Sequence, residues 1–308
     1  MFDSGAAPST FVTRTGTQFM LDGTQFKFVG VNAYGMTGGQ DGTPWTTAEL
    51  NTYFTSLRPK SVTRTWAMRT QGAAAVQAAV ASAEAHGQKL ILSLTDGNGY
   101  SDDITHDAAW YLGGYTGAYF DWVRQVVPLV KNSPAVMMWE IMNEPRSAGV
   151  TPAQMKTFLD ASAALIKSLD PNHLVATGSL SQDEAGTTDF ALIHSGPNID
   201  AGSLHEYDYE YLNSRTILSP HFAGAKAALD SVNKPIYVGE CGISISGDSK
   251  TTRSNTMKAK CDAYLPAGSS GVLEWGYSVR PANINDPLSG TSDGPGDPIM
   301  TMLAGYVI

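Results

Sequence analysis

Charge, cysteine and long apolar runs are all scarce in this sequence. Asp, Glu, Lys and Arg make up 16% of its 308 residues, well below the quarter usual for soluble domains, so neutral polar side chains must carry much of the surface. No run of Lys or Arg occurs and the formal net charge is −9. A polyanion needs a cationic face, so neither nucleic acid nor an anionic membrane is expected as a partner. No apolar run reaches membrane-spanning length, and the opening MFDSGAAPST has neither the basic start nor the apolar middle of a signal peptide. Two cysteines, Cys241 and Cys261, allow one disulfide or two reduced thiols with even odds. The six histidines form no H-x-H or H-E-x-x-H, so the usual ligand spacing of a metal-dependent hydrolase is missing.

Hydrophobic residues, at 42%, are sufficient for a sizeable core. They fall in alternating strand-like and helix-like segments, which points to a parallel α/β sheet. Two short alternating runs flank Asp22-Gly23, a dipeptide suited to a hairpin turn. Eight strand–helix units then follow. Their strands are KFVGVNAY, SVTRTWA, KLILSLTD, AVMMWEIMNEP, HLVATGSLS, DAGSLHEY, PIYVGECGI and GVLEWGYSV. Thr46 or Thr47 caps the first helix, Gly87 closes the second, and Thr151 with Pro152 opens the fourth. Pro128 is expected to kink the third or end it early. The economical closure is a single (β/α)8 TIM barrel over residues 1–308, with an N-terminal β-hairpin at about 10–27 covering its bottom. An open doubly wound sheet ranks below it, because NAYGMTGGQDG after the first strand has no G-x-G-x-x-G.

The active site of such a barrel lies at the C-terminal strand ends. Those ends hold Arg64 and Trp66 on strand two, Asp96 and Asn98 on three, Asn143 and Glu144 on four, His205 and Tyr207 on six, Glu240 on seven, and Trp275 and Tyr277 on eight. Glu144 alone reads equally well as a solvated loop residue. A second carboxylate across the mouth, Glu240, makes the stronger signal, since glycoside hydrolysis needs such a pair. A separation of about 5–5.5 Å implies a covalent, retaining route and a wider gap inversion. Glu140, deeper in strand four, is expected to point into the barrel and support Arg64 or a neighbour. Glu206, Asp208 and Glu210 fit either rim contacts or a solvated loop. A Schiff-base aldolase fits poorly, because Lys60, Lys89 and Lys234 lie near strand starts.

The strings RTWA, MNEP, LHEY, VGECG and LEWGY, in that order from about Phe26 to Tyr277, resemble the motifs of glycoside hydrolase family 5. The resemblance implies a retaining (β/α)8 glycosidase with Glu144 as acid/base and Glu240 as nucleophile. It further implies Asn143 on the sugar 2-OH, Arg64 beneath the nucleophile, Tyr207 restraining Glu240, His205 near the acid/base and Trp275 flooring the sugar site. Trp66 is a weaker stacking candidate. Glu144 should then have a raised pKa and Glu240 a low one. Many members carry a His at the end of strand three; here Asp96 and Asn98 stand instead, and mannan-active relatives often lack that His and keep an Asn-containing stretch there. The expected substrate is β-1,4-mannan, attacked internally, with β-1,4-glucan or an exo-acting β-glycosidase as alternatives. A carbohydrate-binding barrel without activity is the non-enzyme reading. No metal or organic cofactor is required. The partner is an oligo- or polysaccharide, the protein is expected to be a monomer, and a polymeric substrate implies an extracellular site.

Overall fold

A computed structural model describes residues 11–38, 42–99, 104–146, 148–178, 189–211, 215–243, 248–279 and 296–308. Three short antiparallel strands come first: β1 (Thr13–Thr15), β2 (Gln18–Leu21) and β3 (Thr24–Gln25). The turn at Asp22-Gly23 has both residues at positive φ, 54° and 76°, as a two-residue hairpin turn demands. Another turn, through Gly16, adds a strand to the expected hairpin.

The barrel strands are β4 (Phe28–Asn32), β5 (Val62–Trp66), β6 (Lys89–Ser93), β7 (Val136–Glu140), β8 (Leu174–Ala176), β9 (Gly202–Glu206), β10 (Ile236–Gly242) and β11 (Gly271–Trp275). Each lies parallel to its sequence neighbour, and β11 returns to pair with β4. The single bridge Ala176–Ala201 closes the seam between β8 and β9. This is the eightfold barrel that the alternation of segments implied.

The helices are α1 (Thr47–Thr55), α2 (Ala73–Ala85), α3 (Ala108–Tyr111), α4 (Ala118–Val130), α5 (Pro152–Leu169), α6 (189–194), α7 (Asp208–Tyr211), α8 (Phe222–Ser231), α9 (Lys250–Tyr264) and α10 (Pro298–Gly305). Thr46 caps α1 with Glu49 reciprocating, and Thr151 caps α5 ahead of Pro152, each satisfying amide groups that have no partner inside the helix. Pro128 does not end its helix early: α4 runs on to Val130. The carbonyl that Pro128 leaves without a bond belongs to Arg124, an exposed residue, and water can take the place of the lost N–H.

Strand alternation divides the core in two. Val29, Val31, Leu92, Trp139, Val238 and Val272 face outward against the helices. Phe28, Val62, Ile91, Met138, Tyr237 and Leu273 face inward, and Val12, Phe19, Leu21 and Phe26 seal them from below. Above this apolar plug the inward positions become polar, with Asn32, Arg64, Ser93 and Glu140 all buried. Cys241 and Cys261 are both buried and unbridged; Cys241 lies instead against Met257 sulfur at 3.8 Å. Among the described residues, no helix is long and apolar enough to cross a membrane.

Candidate active site

Two local irregularities bring the carboxylates to the mouth of the barrel. Strict alternation from inward-facing Tyr237 would turn Glu240 outward. The pairing of β10 with β9 shifts register between Val238 and Glu240, and this bulge at Gly239 turns Glu240 in. A Cβ at Gly239 would lie 2.9 Å from His205 Nε2, so the bulge needs glycine there. On the other side, the chain leaves β7 and Glu144 takes a positive φ of 47°, uncommon for a non-glycine residue and frequent at functional sites. The turn is held by Glu144 N–H donating to Gly178 O (3.0 Å), Asn143 N–H to Thr95 O (2.8 Å) and Gly97 N–H to Asn143 O (2.7 Å). A Cβ on Gly97 would come within 2.0 Å of Glu144 O, so only glycine allows the loop after β6 to approach this closely.

Arg64 stands at the centre. Its Nη1 donates to Glu240 Oε1 (2.6 Å) and Asn32 Oδ1 (3.0 Å), its Nη2 to Asn143 Oδ1 (2.7 Å) and its Nε to Glu140 Oε2 (2.6 Å). Glu140 thus points into the barrel and supports Arg64, as expected. Tyr207 hydroxyl donates to Glu240 Oε2 (2.7 Å). His205 Nδ1 lies 3.1 Å from Glu144 Oε1 and 3.4 Å from Glu240 Oε1. Asn98 Nδ2 donates to Glu144 Oε2 (2.6 Å), and Arg146 Nε donates to Asn98 Oδ1. Asn143 Nδ2 donates to Asp96 Oδ1 (2.6 Å). Single oxygens of Glu144 and Glu240 and His205 nitrogen all lie within 4.8 Å of one another.

The ionisation order is the reverse of expectation. Burial acts to raise Glu144, but His205, Asn98 and Arg64 outweigh it and hold that carboxyl below its usual range. Burial pushes Glu240 up; His205 and Arg64 offset this only in part, and the charge of Glu144 adds to the rise. The physical reason is a divided guanidinium. Arg64 pairs with Glu140 as well as Glu240, and Glu140 ends below its usual range, because Arg64, His205, Ser93 and Tyr237 together outweigh its burial. Arg64 serves both carboxylates, and Glu240, its side chain 4% exposed against 13% for Glu144, lacks full compensation for its burial.

The two stacking candidates differ in exposure. Trp275 is half-buried, with Tyr34 stacked on it at 5.0 Å and 11°. Trp66 is buried and packs against Tyr34 at 5.0 Å, so a sugar face does not reach it in this conformation. Trp110 and Tyr277 are core residues, and Tyr209 is buried near Lys260 and Arg215. Glu206 is neither rim nor solvated loop: it faces outward from β9 and forms a buried pair with Lys260 at 2.6 Å. The side chain of Glu210 lies outside the described residues. Asn32, Tyr34, Arg146 and Tyr237 went unread in the sequence. Asn32 and Tyr34 end the first strand, and scanning that strand end with the others would have found both.

Glu144, Glu240 and His205 are near enough to hold a cation. The Arg64 guanidinium already pairs with Glu240, and a metal ion beside it would be repelled. The arrangement suits proton transfer and nucleophilic attack.

Residues 120–264, from α4 to the end of α9, match the family model described as GH family 5 beta-mannosidase-like. A probable mannan endo-1,4-beta-mannosidase F of Neosartorya fischeri is 27% identical over 285 residues, covering 76% of this chain and 62% of that protein. Mannan endo-1,4-beta-mannosidase 3 of Arabidopsis thaliana is 27% identical over 362 residues, covering 92% and 86%. This chain therefore spans less than two thirds of the Neosartorya protein. The solved endo-1,4-beta-mannanase of Rhizomucor miehei superposes with a TM-score of 0.74 at 20% identity, over 96% of this chain and 97% of that one. The chain resembles glycoside hydrolase family 5 in sequence motifs as in fold.

Proposed function

We propose that this chain is a retaining glycoside hydrolase that cleaves β-1,4-mannan internally by double displacement, with Glu240 as nucleophile and Glu144 as acid/base. One observation carries the reading: one carboxylate oxygen of Glu144, in the turn after β7, and one of Glu240, on β10, lie within 4.8 Å of each other, close enough for both to meet one glycosidic linkage, which favours the narrow spacing of retaining enzymes. In the first step Glu144 gives its proton to the glycosidic oxygen while Glu240 attacks the anomeric carbon. In the second, ionised Glu144 takes a proton from water, which attacks the same carbon and releases Glu240. Substrate supplies the ionisation order that the free site lacks. Positive charge developing at the anomeric carbon stabilises ionised Glu240, and the glycosidic oxygen accepts from protonated Glu144. Asn143, held from both sides by Arg64 and Asp96, is placed for the 2-OH, and Trp275 for the sugar face.

The preference for mannan rests on the named relatives and on Asp96 and Asn98 standing where many family members carry a His. A chain-end-acting β-mannosidase is the second reading, favoured by the family model's description. A polymeric substrate puts the protein outside the cell. Products on mannan, cellulose and xylan, sized and followed by NMR for the first anomer formed, test the proposal. Internal cleavage of mannan with retention is expected, and Glu240→Ala should lose about 10³-fold or more in turnover. An inverted first product, or near-normal turnover of that variant, refutes it.

A further inference from the structure

Double displacement occupies Glu144 and Glu240 and leaves Glu140, a third barrel carboxylate, without a task. Glu140 is fully buried one layer below the reacting pair. Its Oε2 accepts from Arg64 Nε (2.6 Å) and from Ser93 hydroxyl, and its Oε1 accepts from Tyr237 hydroxyl (2.5 Å). A position that only filled space would be served by an apolar side chain, as at Met138 and Ile91 in the layer below, since a buried ion pair is weak as a source of stability. The guanidinium is a rigid planar fork. Once its Nε edge is anchored, Nη1 and Nη2 have one direction each, and here these lead to Glu240 and Asn143.

We propose that Glu140 is a positioning residue for the nucleophile: it anchors Arg64 so that the guanidinium meets Glu240 and Asn143 together, and it draws on the same positive charge so that Glu240 stays reactive as an anion. This rests on the double-displacement reading and adds to it a divided charge. The ionisable groups facing Glu240 are Arg64 from β5, Glu144 from the turn after β7, and His205 and Tyr207 at the end of β9. Those acting on Glu140 are Arg64, Tyr237 from β10 and His205.

Two variants with opposite expected signs test it. Glu140→Gln keeps the shape and removes the charge: its carbonyl can accept from Arg64 and Ser93, and Tyr237 hydroxyl can turn to accept from its amide. Arg64 is then left to Glu240 alone. In kcat and KM measured across pH on a mannooligosaccharide, kcat should fall about tenfold with KM within about twofold, and the acid limb of kcat, which reports the substrate-bound site, should move down by about half a unit to one unit. Ser93→Ala removes the other donor to the oxygen that binds Arg64. Glu140 then draws harder on the guanidinium, and the acid limb should move up by a few tenths of a unit. A folded Glu140→Gln protein with unchanged kcat and limb overturns the proposal, as do limbs that shift the same way in both variants. If Glu140→Gln does not fold, Ser93→Ala decides alone, and an unmoved limb overturns the idea. An active Glu240→Ala protein would instead remove the underlying reading, so the two failures are distinct.

Discussion

Removing one hydroxyl from the nucleophile's surroundings should move the pH dependence by a calculable amount. Tyr207 donates to Glu240 Oε2 at 2.7 Å, and the opposite oxygen is held by Arg64 at 2.6 Å. Tyr207→Phe deletes the first contact, keeps the second and preserves most of the ring's packing. A hydrogen bond to a charged group contributes about 1.5–3 kcal/mol. At about 1.36 kcal/mol per pKa unit, its loss should raise the Glu240 carboxyl by about 1–2 units. Glu240 is buried and Tyr207 half-buried, so solvent screening takes only part of this and the lower end of the range is expected. The sign follows from the charged form: the hydroxyl stabilises the carboxylate, so without it Glu240 ionises later. The acid limb of kcat, which reports the substrate-bound site, should therefore move to higher pH by that amount, with turnover falling on the acid side most. The assay is a full pH profile on mannooligosaccharide, with thermal melts to show that the variant is folded. The two carboxyls titrate as a pair, so the limb belongs to the dyad and not to Glu240 alone. A limb that stays within about 0.3 unit of the parent, an energy well under the deleted bond, would refute the reasoning.

Asn98→Ala should act on the other limb. Asn98 donates to Glu144 Oε2 at 2.6 Å and favours the ionised form, so its loss keeps Glu144 protonated to higher pH. The alkaline limb of kcat should rise by about one unit, and an alkaline limb that falls or stays would remove Asn98 from that role. A third test concerns stability. Glu274, on β11, is buried with neither carboxylate oxygen hydrogen-bonded, and burial pushes it up to about 8 despite Arg253 at 3.8 Å. The unfolded chain loses this proton near 4.5 and the folded one near 8, so the unfolded state binds fewer protons in between and stability falls as pH rises across that window. Denaturant titrations should show Glu274→Gln flattening that fall, by up to a few kcal/mol at neutral pH; an equally steep fall in the variant would exclude Glu274 as its source.

The alternation of short apolar strands with capped helices, and the polar residues that follow those strands, were legible because they obey local rules. Thr46 and Thr151 cap as their side-chain oxygens allow, and Glu140 lies on the inward face that a period of two assigns it. Arg64 and Tyr207 lie against Glu240 and His205 against Glu144, and the motif strings had named each of these residues. The fates of the aromatics were not legible, since a Trp at a strand end has the same pattern whether it is covered, as Trp66 is by Tyr34, or left half-open, as Trp275 is.

By itself the sequence determined which segments form strands and helices, their order around the barrel and which side chains stand at its mouth, because these depend on periodicity, capping and chain order within a few residues. Only the tertiary structure decided the bulge at Gly239 that turns Glu240 inward, the absence of a bridge between Cys241 and Cys261, and the order in which the two carboxyls ionise. Each of these depends on distances between residues far apart in the chain. Arg64 lies 2.6 Å from both Glu140 and Glu240, so its charge is shared, and no local pattern records how a shared charge divides.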